Sequence, residues 1–382
     1  MTINSVIHRE NILCIIVQVL YEVALILPIS TYLFYVFKLN NLTDGSKTKS
    51  YTYALSFFSM GVKINAQGNP NSEFLKSMNR ILNLVCERIF HLWLRPDWLY
   101  RIFWRKHFEH ERCVKELHGF TDNIIALKRK EVNADNGNKS EDLEMYKRKT
   151  FLELLISLSG GEKGYTNVEL REEVLTLTIA GTDTSAVAIG YTLMLLGKYP
   201  DVQEKVYHEL QEVFGDSDRP LVKEDLIKLK YMERVVKESL RLFPPVPFII
   251  RKVLEDITMP SGRVLPAGSG IVISIWGVHR DPKYWGPDAE HFDPDRFLPE
   301  RFKLAHTCSY MPFSSGPRNC LGYQYALMSI KTALSSVLRR YKVLGDMENT
   351  RVPRIRVKLD IMMKAVDGYK IALERRQKTE TQ

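Results

Sequence analysis

The 382-residue chain is 45% hydrophobic and 26% charged, which excludes a disordered or fibrous protein and leaves room for one large core. Its formal net charge of +9 suits an acidic membrane surface or protein partner. Nucleic acid is excluded, because the basic runs Lys128-Arg129-Lys130 and Lys147-Arg148-Lys149 lack the interleaved aromatics that stack on bases. Cys14, Cys86, Cys113, Cys308 and Cys320 show no paired spacing, so neither a zinc site nor a disulfide scaffold is expected and the chain reads as facing a reducing compartment.

Ile12 to Phe37 is apolar enough to span a bilayer, although Gln18, Glu22 and Pro28 interrupt it. A membrane anchor is the expectation, and a buried helical hairpin broken at Pro28 is the alternative. After a polar break, helix-period segments run from Tyr51 to Lys130, and Glu131 to Lys149, charged and without apolar period, reads as a loop. Thr166-Asn167-Val168-Glu169 is a capping box that predicts a helix start. That helix continues to Lys198, ahead of Pro200, a length of about 50 Å, and its apolar faces from Thr178 to Leu196 place it in a core.

Shorter helices are expected at Asp201 to Phe214, Lys223 to Leu229 and Tyr231 to Phe243, the last closed by Pro244-Pro245. Val246 to Trp276 reads as short strands joined by the turns Pro260-Ser261-Gly262 and Pro266-Ala267-Gly268. A long loop covers Gly277 to Pro317, and a last helix is expected from about Leu321 to Tyr341. The fold class is mainly α with a small β region.

Phe313-Ser314-Ser315-Gly316-Pro317-Arg318-Asn319-Cys320-Leu321-Gly322 delivers a cysteine to the start of that last helix. Helix N-terminal amides and Arg318 both favour a thiolate there, and Gly316 and Gly322 let the backbone approach a flat ligand. By residue type alone Cys320 also reads as a small buried hydrophobe. Ala180-Gly181-Thr182-Asp183-Thr184-Ser185 puts a small residue, an acid and an alcohol inside the long helix. These suit proton transfer, but Thr184 bonded to the carbonyl four residues back and Asp183 in a plain ion pair are the alternative. Glu238-Ser239-Leu240-Arg241 sets an acid and a base three apart on one helical face, by itself an everyday surface pair.

Together the Phe-x-x-Gly-x-Arg-x-Cys-x-Gly loop, the Ala180–Ser185 segment, Glu238 with Arg241, and Arg251 after Val246-Pro247-Phe248 resemble the cytochromes P-450 in motif and in order. The resemblance runs from about Ser50 to Arg376. It looks closest to the animal and insect branch that includes fatty-acid ω-hydroxylases, on Lys237 to Pro247 and Pro312 to Cys320.

What it implies is a cytochrome P-450-like fold, incomplete at the N-terminus, with a putative anchor and linker at 1–49 and a haem-binding monooxygenase domain at 50–382. Haem b would take Cys320 as axial ligand to its iron, with Phe313, Gly316 and Gly322 in the binding loop and Arg318 and Arg251 on its propionates. Gly181, Asp183 and Thr184 would be catalytic, and Glu238, Arg241 and Arg296 a buried structural set. One oxygen atom of O2 would enter a lipophilic substrate, such as a fatty acid, hormone, pheromone or xenobiotic.

Electrons would come from NADPH through a flavoprotein reductase, and cytochrome b5 is a further partner. The reductase would dock where Arg318, Lys331, Arg339 and Arg340 add positive charge, at the cytosolic face of the endoplasmic reticulum membrane. Two departures stand out. Ala180 replaces a glutamate that many relatives esterify to haem, so no such link is expected. The Trp-x-x-x-Arg helix has no match, since Asp97, Ile102 and Phe108 stand four positions after Trp93, Trp98 and Trp104. The rival expectation is therefore a truncated, catalytically impaired haem-binding or interaction protein.

Overall fold

The computed structural model describes residues 72–94, 96–136, 150–158, 164–302 and 306–376. The expected anchor at Ile12 to Phe37 and the linker to Ser50 lie outside the described residues. The chain falls into two units, one of residues up to Ala186 with Pro220–Glu224, the other of Val187–Arg219 with Asp225 onward.

The first unit is helical. Helices α1 (Glu73–Phe90), α2 (Asp97–Phe103), α3 (His107–Asn136) and α4 (Phe151–Leu158) precede α5 (Asn167–Lys198), whose residues up to Ala186 belong here. Apolar residues at helical spacing on α1, Phe74, Leu75, Met78 and Ile81, pack with Leu117, Ile124 and Ile125 of α3 and Leu152 and Leu155 of α4. The loop expected over Glu131 to Lys149 is corrected at its start, since α3 runs on to Asn136, just before Gly137; the rest of that stretch, 137–149, lies outside the described residues. Lys128 pairs with Glu131 and Glu153 at 2.8 Å each, so charge contacts carry this last stretch where apolar period is missing.

The capping box forms at the predicted place. The Thr166 amide donates to Glu169 Oε2 at 2.9 Å and the Glu169 amide donates to Thr166 Oγ1 at 3.2 Å, so two first-turn donors are satisfied. The helix that follows ends at Lys198 as expected, and α6 (Pro200–Phe214) begins on Pro200, whose missing N–H costs nothing at a first turn. By length and composition α5 could cross a membrane, yet 72% of its apolar window is buried within the protein, as in a core helix.

Helix α7 (Lys223–Lys228), in the second unit from Asp225 on, leads to α8 (Lys230–Leu242), whose buried face carries Met232, Val235, Val236, Glu238, Ser239, Leu240 and Arg241. Strands β1 (Phe248–Lys252) and β4 (Gly270–Ser274) pair antiparallel, with Arg251 opposite Ile271. Between them β2 (Ile257–Thr258) and β3 (Val264–Leu265) form a small hairpin. Gly262 at φ +78° and Gly268 at φ +83° make the predicted turns, a backbone region that glycine enters without strain.

The expected loop from Gly277 is partly helical, with α9 (Ile275–Val278), α10 (Pro282–Trp285) and 3-10 turns at Pro294–Phe297 and Thr307–Ser309. Helix α11 (Tyr323–Leu338) is shorter at both ends than expected. Tyr341 instead opens β5 (Tyr341–Leu344), which pairs with β8 (Ala372–Arg375), and β6 (Val357–Asp360) pairs with β7 (Met362–Ala365). Gln203 of α6 fixes this sheet from below. Its buried amide donates to Leu196 O and Val343 O and accepts from the Val343 amide at 2.7–2.9 Å.

Candidate functional site

Cys320 lies in a turn just before α11, on a loop that its own backbone closes. The Cys320 amide donates to Phe313 O at 2.8 Å, the Asn319 amide to Gly316 O at 3.0 Å and the Ser314 amide to Met311 O at 3.0 Å. Gly316 has φ +84°, and a Cβ added at Gly316 or Gly322 would meet nothing within 4 Å. Ser314 also sits at positive φ, +65°, and Arg251 of β1 donates to its Oγ at 3.0 Å.

Cys320 and Arg318 are both exposed. The surrounding protein still desolvates the sulfur enough to raise the thiol pKa, against which the Gly322 amide pulls. The expectation of a favoured thiolate is therefore corrected for the free thiol, since desolvation outweighs the Gly322 amide. The chemistry of this set nevertheless fits a flat, iron-centred, carboxylate-bearing group: an accessible sulfur, a glycine-lined approach and two arginines whose backbones or side chains meet at the loop. Arg251 also reaches Arg318 O at 3.5 Å.

Behind the loop is a buried ionic core. Glu238 and Arg241 are both fully buried, so the pair that spacing alone suggested was superficial is corrected. Arg241 Nε donates to Glu238 Oε2 at 2.7 Å and Nη2 to Oε1 at 2.8 Å, a bidentate pair. The remaining guanidinium protons go to the carbonyls of His279 at 2.7 Å, Ala289 at 2.6 Å and His291 at 3.0 Å. Trp285 lies 4.9 Å from the guanidinium carbon and closes one face.

Arg296 is the third member, its Nε 3.7 Å from Glu238 Oε1. Its closer partner is Asp288, at 2.9 Å, whose carboxyl it holds below the usual range. Sequence reasoning missed both Asp288 and His279. The latter has no signal beyond a lone histidine in Val278-His279-Arg280-Asp281.

In the first unit, Thr182 and Asp183 are buried, while Gly181 and Thr184 are partly exposed. Thr184 Oγ1 donates to Ala180 O at 2.7 Å, the back-bonded arrangement that residue type alone suggested. Thr178 and Thr182 do the same to Val174 O and Thr178 O.

The expected cluster of docking charges is corrected. Lys331 is buried, donates to Leu226 O and pairs with Glu233 at 3.1 Å; burial lowers its pKa, with Glu233 opposing. Arg339 donates to the carbonyls of Arg219 and Ser217, and Arg340 pairs with Asp218 at 3.5 Å.

A mainly helical fold with small sheets, a cysteine loop ahead of a helix and a buried Glu-Arg-Arg core defines a class, and comparison with known proteins agrees. The cytochrome P450 family model matches residues 49–370, and the chain belongs to that family. It is 42% identical over 322 residues to cytochrome P450 4V2 of Pongo abelii and 40% identical to that of Homo sapiens, each match covering 83% of this chain. It is 38% identical over 295 residues to cytochrome P450 4c3 of Drosophila melanogaster, covering 74% of this chain and 55% of that protein. These similarities place it in the animal branch that was expected.

The chain spans about 60% of the length of the vertebrate relatives. The solved heme domain of cytochrome P450DA superposes with a TM-score of 0.75 over 92% of this chain and 72% of that one; at 20% identity this shows the fold.

Arg241→Met removes a guanidinium that satisfies one carboxylate and three carbonyls in the interior. Breaking a buried pair from one side costs about 3–5 kcal/mol. Urea unfolding should register a loss of that size. A loss below about 1 kcal/mol, the usual range for exposed pairs, would mean that the network does not constrain the fold.

Proposed function

We propose that the chain is a haem-thiolate monooxygenase that inserts one atom of O2 into a lipophilic substrate, releasing the other as water. Family membership supports the class, and the single observation that carries the reading is the accessible Cys320 sulfur on its hydrogen-bonded, glycine-flanked loop. A haem b bound there supplies the oxygen activation and electron handling that side chains lack.

Cys320 would hold the group through its sulfur, and a bound cation would offset the desolvation that raises the free thiol's pKa. Arg318 and Arg251 pair the cofactor's carboxylates, and Phe313, Gly316 and Gly322 shape the surface against it. Glu238, Arg241 and Arg296 hold the loop's foundation. We assign proton delivery to Asp183 and Thr184. A hydroxyl that donates to Ala180 O keeps two acceptor lone pairs, so Thr184 can accept a hydrogen bond without leaving the helix. Gly181 leaves room for dioxygen. Electrons come from NADPH through a flavoprotein reductase, with cytochrome b5 as a further donor, and the substrate belongs to the fatty-acid, hormone, pheromone or xenobiotic classes.

Membrane association at the cytosolic face of the endoplasmic reticulum belongs to the same reading. Besides the proposed anchor at 1–49, support comes from the stretch between α1 and α3. Phe90, Trp93, Trp98, Ile102, Phe103 and Phe108 are all more than half exposed there, with Arg101 and Arg105 exposed among them. Aromatic rings beside basic groups suit the headgroup boundary of an anionic bilayer.

Two measurements test these statements. Cys320→Ser should abolish the thiolate-type band of the reduced carbon monoxide complex, because a hydroxyl is a far weaker donor to iron. An unchanged spectrum would exclude Cys320 as ligand. A chain lacking residues 1–39 should still sediment with anionic vesicles, and Trp98→Asp with Phe103→Asp should weaken that binding at least about tenfold, since each buried ring contributes roughly 1.5–3 kcal/mol. Equal binding by both forms would place the contact elsewhere.

A further inference from the structure

His279 is fully buried and hydrogen-bonded at both ring nitrogens. Its Nδ1 lies 3.2 Å from Arg241 O, and the Met311 amide donates to its Nε2 at 2.9 Å. The partners fix its state. A carbonyl can only accept and an amide N–H can only donate, so Nδ1 carries the proton and Nε2 carries the lone pair. Burial comes first in lowering its pKa, the bond to the Arg241 carbonyl opposes it, and the charges of Arg241 and Arg280 add to the lowering, so its pKa falls to about 3.

Arg241 O is one of the last four carbonyls of α8, which have no partner within the helix. His279 therefore caps α8 through one nitrogen and holds Met311 through the other. Met311 in turn accepts from Ser314, and the loop that begins there closes at Cys320 on Phe313 O. The ring is also clamped: Tyr310 stacks on it at 5.4 Å, Trp285 meets it edge-on at 6.4 Å, and Tyr310 Oη donates to Lys237 O at 3.1 Å. The backbone of the same residue is tied too, since Arg241 Nη1 donates to His279 O.

We propose that His279 is a positioning residue that transmits the location of the buried Glu238–Arg241 pair to the Cys320 loop, acting as a neutral two-ended strut. It touches neither cofactor nor substrate. Its loss leaves the Met311 amide buried without an acceptor, and the loop then relieves that by moving, which carries the sulfur off its bonding position. The inference rests on the reading of Cys320 as the iron ligand.

The test compares His279→Phe and His279→Gln in the full chain reconstituted with haem. Phenylalanine keeps the ring volume and the stack on Tyr310 but offers no polar atom. Glutamine offers an amide oxygen near the Nε2 position, which can accept from Met311. The readout is the ratio of thiolate-type to non-thiolate band in the reduced carbon monoxide spectrum, taken on the folded, haem-containing fraction. His279→Phe should lower that ratio about tenfold, equivalent to about 1.4 kcal/mol, and His279→Gln should restore a large part of it.

A wild-type ratio in His279→Phe overturns the proposal. So does an equal loss in both variants, because it would make the effect one of packing and not of the Met311 hydrogen bond. If His279→Phe does not fold, His279→Gln decides alone: a ratio within about twofold of wild type supports the strut, and a tenfold loss contradicts it. Persistence of the thiolate band in Cys320→Ser would instead remove the reading beneath the proposal, whatever the His279 variants do.

Discussion

A guanidinium buried without solvent access must spend all its donors on protein, and Arg241 does so on one carboxylate and three backbone carbonyls. An arginine cannot relieve its burial by losing a proton, so the chain segments that supply those acceptors have little freedom. They come from α8, from His279 after α9, and from Ala289 and His291 ahead of the Pro294–Phe297 turn. The Asp293 amide adds a bond to Glu238 Oε1 at 3.0 Å, tying the same turn to the acid. Segments with almost no regular secondary structure are held in place by polar contacts of high directionality. Two buried charges in well-packed surroundings contribute little net stability when complete. Their effect here is positional: the carbonyls of His279, Ala289 and His291 and the amide of Asp293 are held where the buried pair meets them.

The loop that carries Cys320 has different physics. It is exposed, closed by short backbone hydrogen bonds and strained at Ser314, whose positive φ is stabilised by Arg251. Rigid foundation and adaptable rim are thus separate parts of the same unit. Under the proposed assignment both would serve, because the sulfur would need a fixed position while the glycines would admit a flat group. In the first unit, Thr178, Thr182 and Thr184 of α5 bond back to carbonyls of their own helix.

Legibility in the sequence followed the range of the chemistry involved. The start of α5 could be read at Thr166 and its end at Pro200 because capping and proline effects act within one turn. Gly262 and Gly268 were equally readable as turns, since a positive φ is a local demand. The pairing of Tyr341 with Arg375 was not, because short strands joined across a long separation have neither alternation nor a tight-turn signature to announce them.

Residue roles followed the same rule. The Cys320 loop and the Glu238–Arg241 spacing were visible, but the burial of that pair was implied by the family resemblance alone, as three-residue spacing is common on any helix surface. Lys331 was misplaced for a related reason: a lysine in an amphipathic helix reads as solvated, and only tertiary packing supplies the Glu233 and Leu226 acceptors that allow it inside. His279 left no pattern, since its partners Arg241 and Met311 lie far away in sequence, and Asp288 left none because its partner Arg296, though near in sequence, meets it through a loop with no periodicity.

The central claim is that the buried arginine network fixes the segment leading to Cys320. Native-state hydrogen exchange at the Met311 amide tests it most directly, because that proton sits on the contact between the two. The account predicts that it exchanges with the same opening free energy as the amides of Val235 and Leu240 in α8, through unfolding of the whole unit. Exchange of Met311 through a lower-energy local opening, with Val235 and Leu240 still protected, would contradict it.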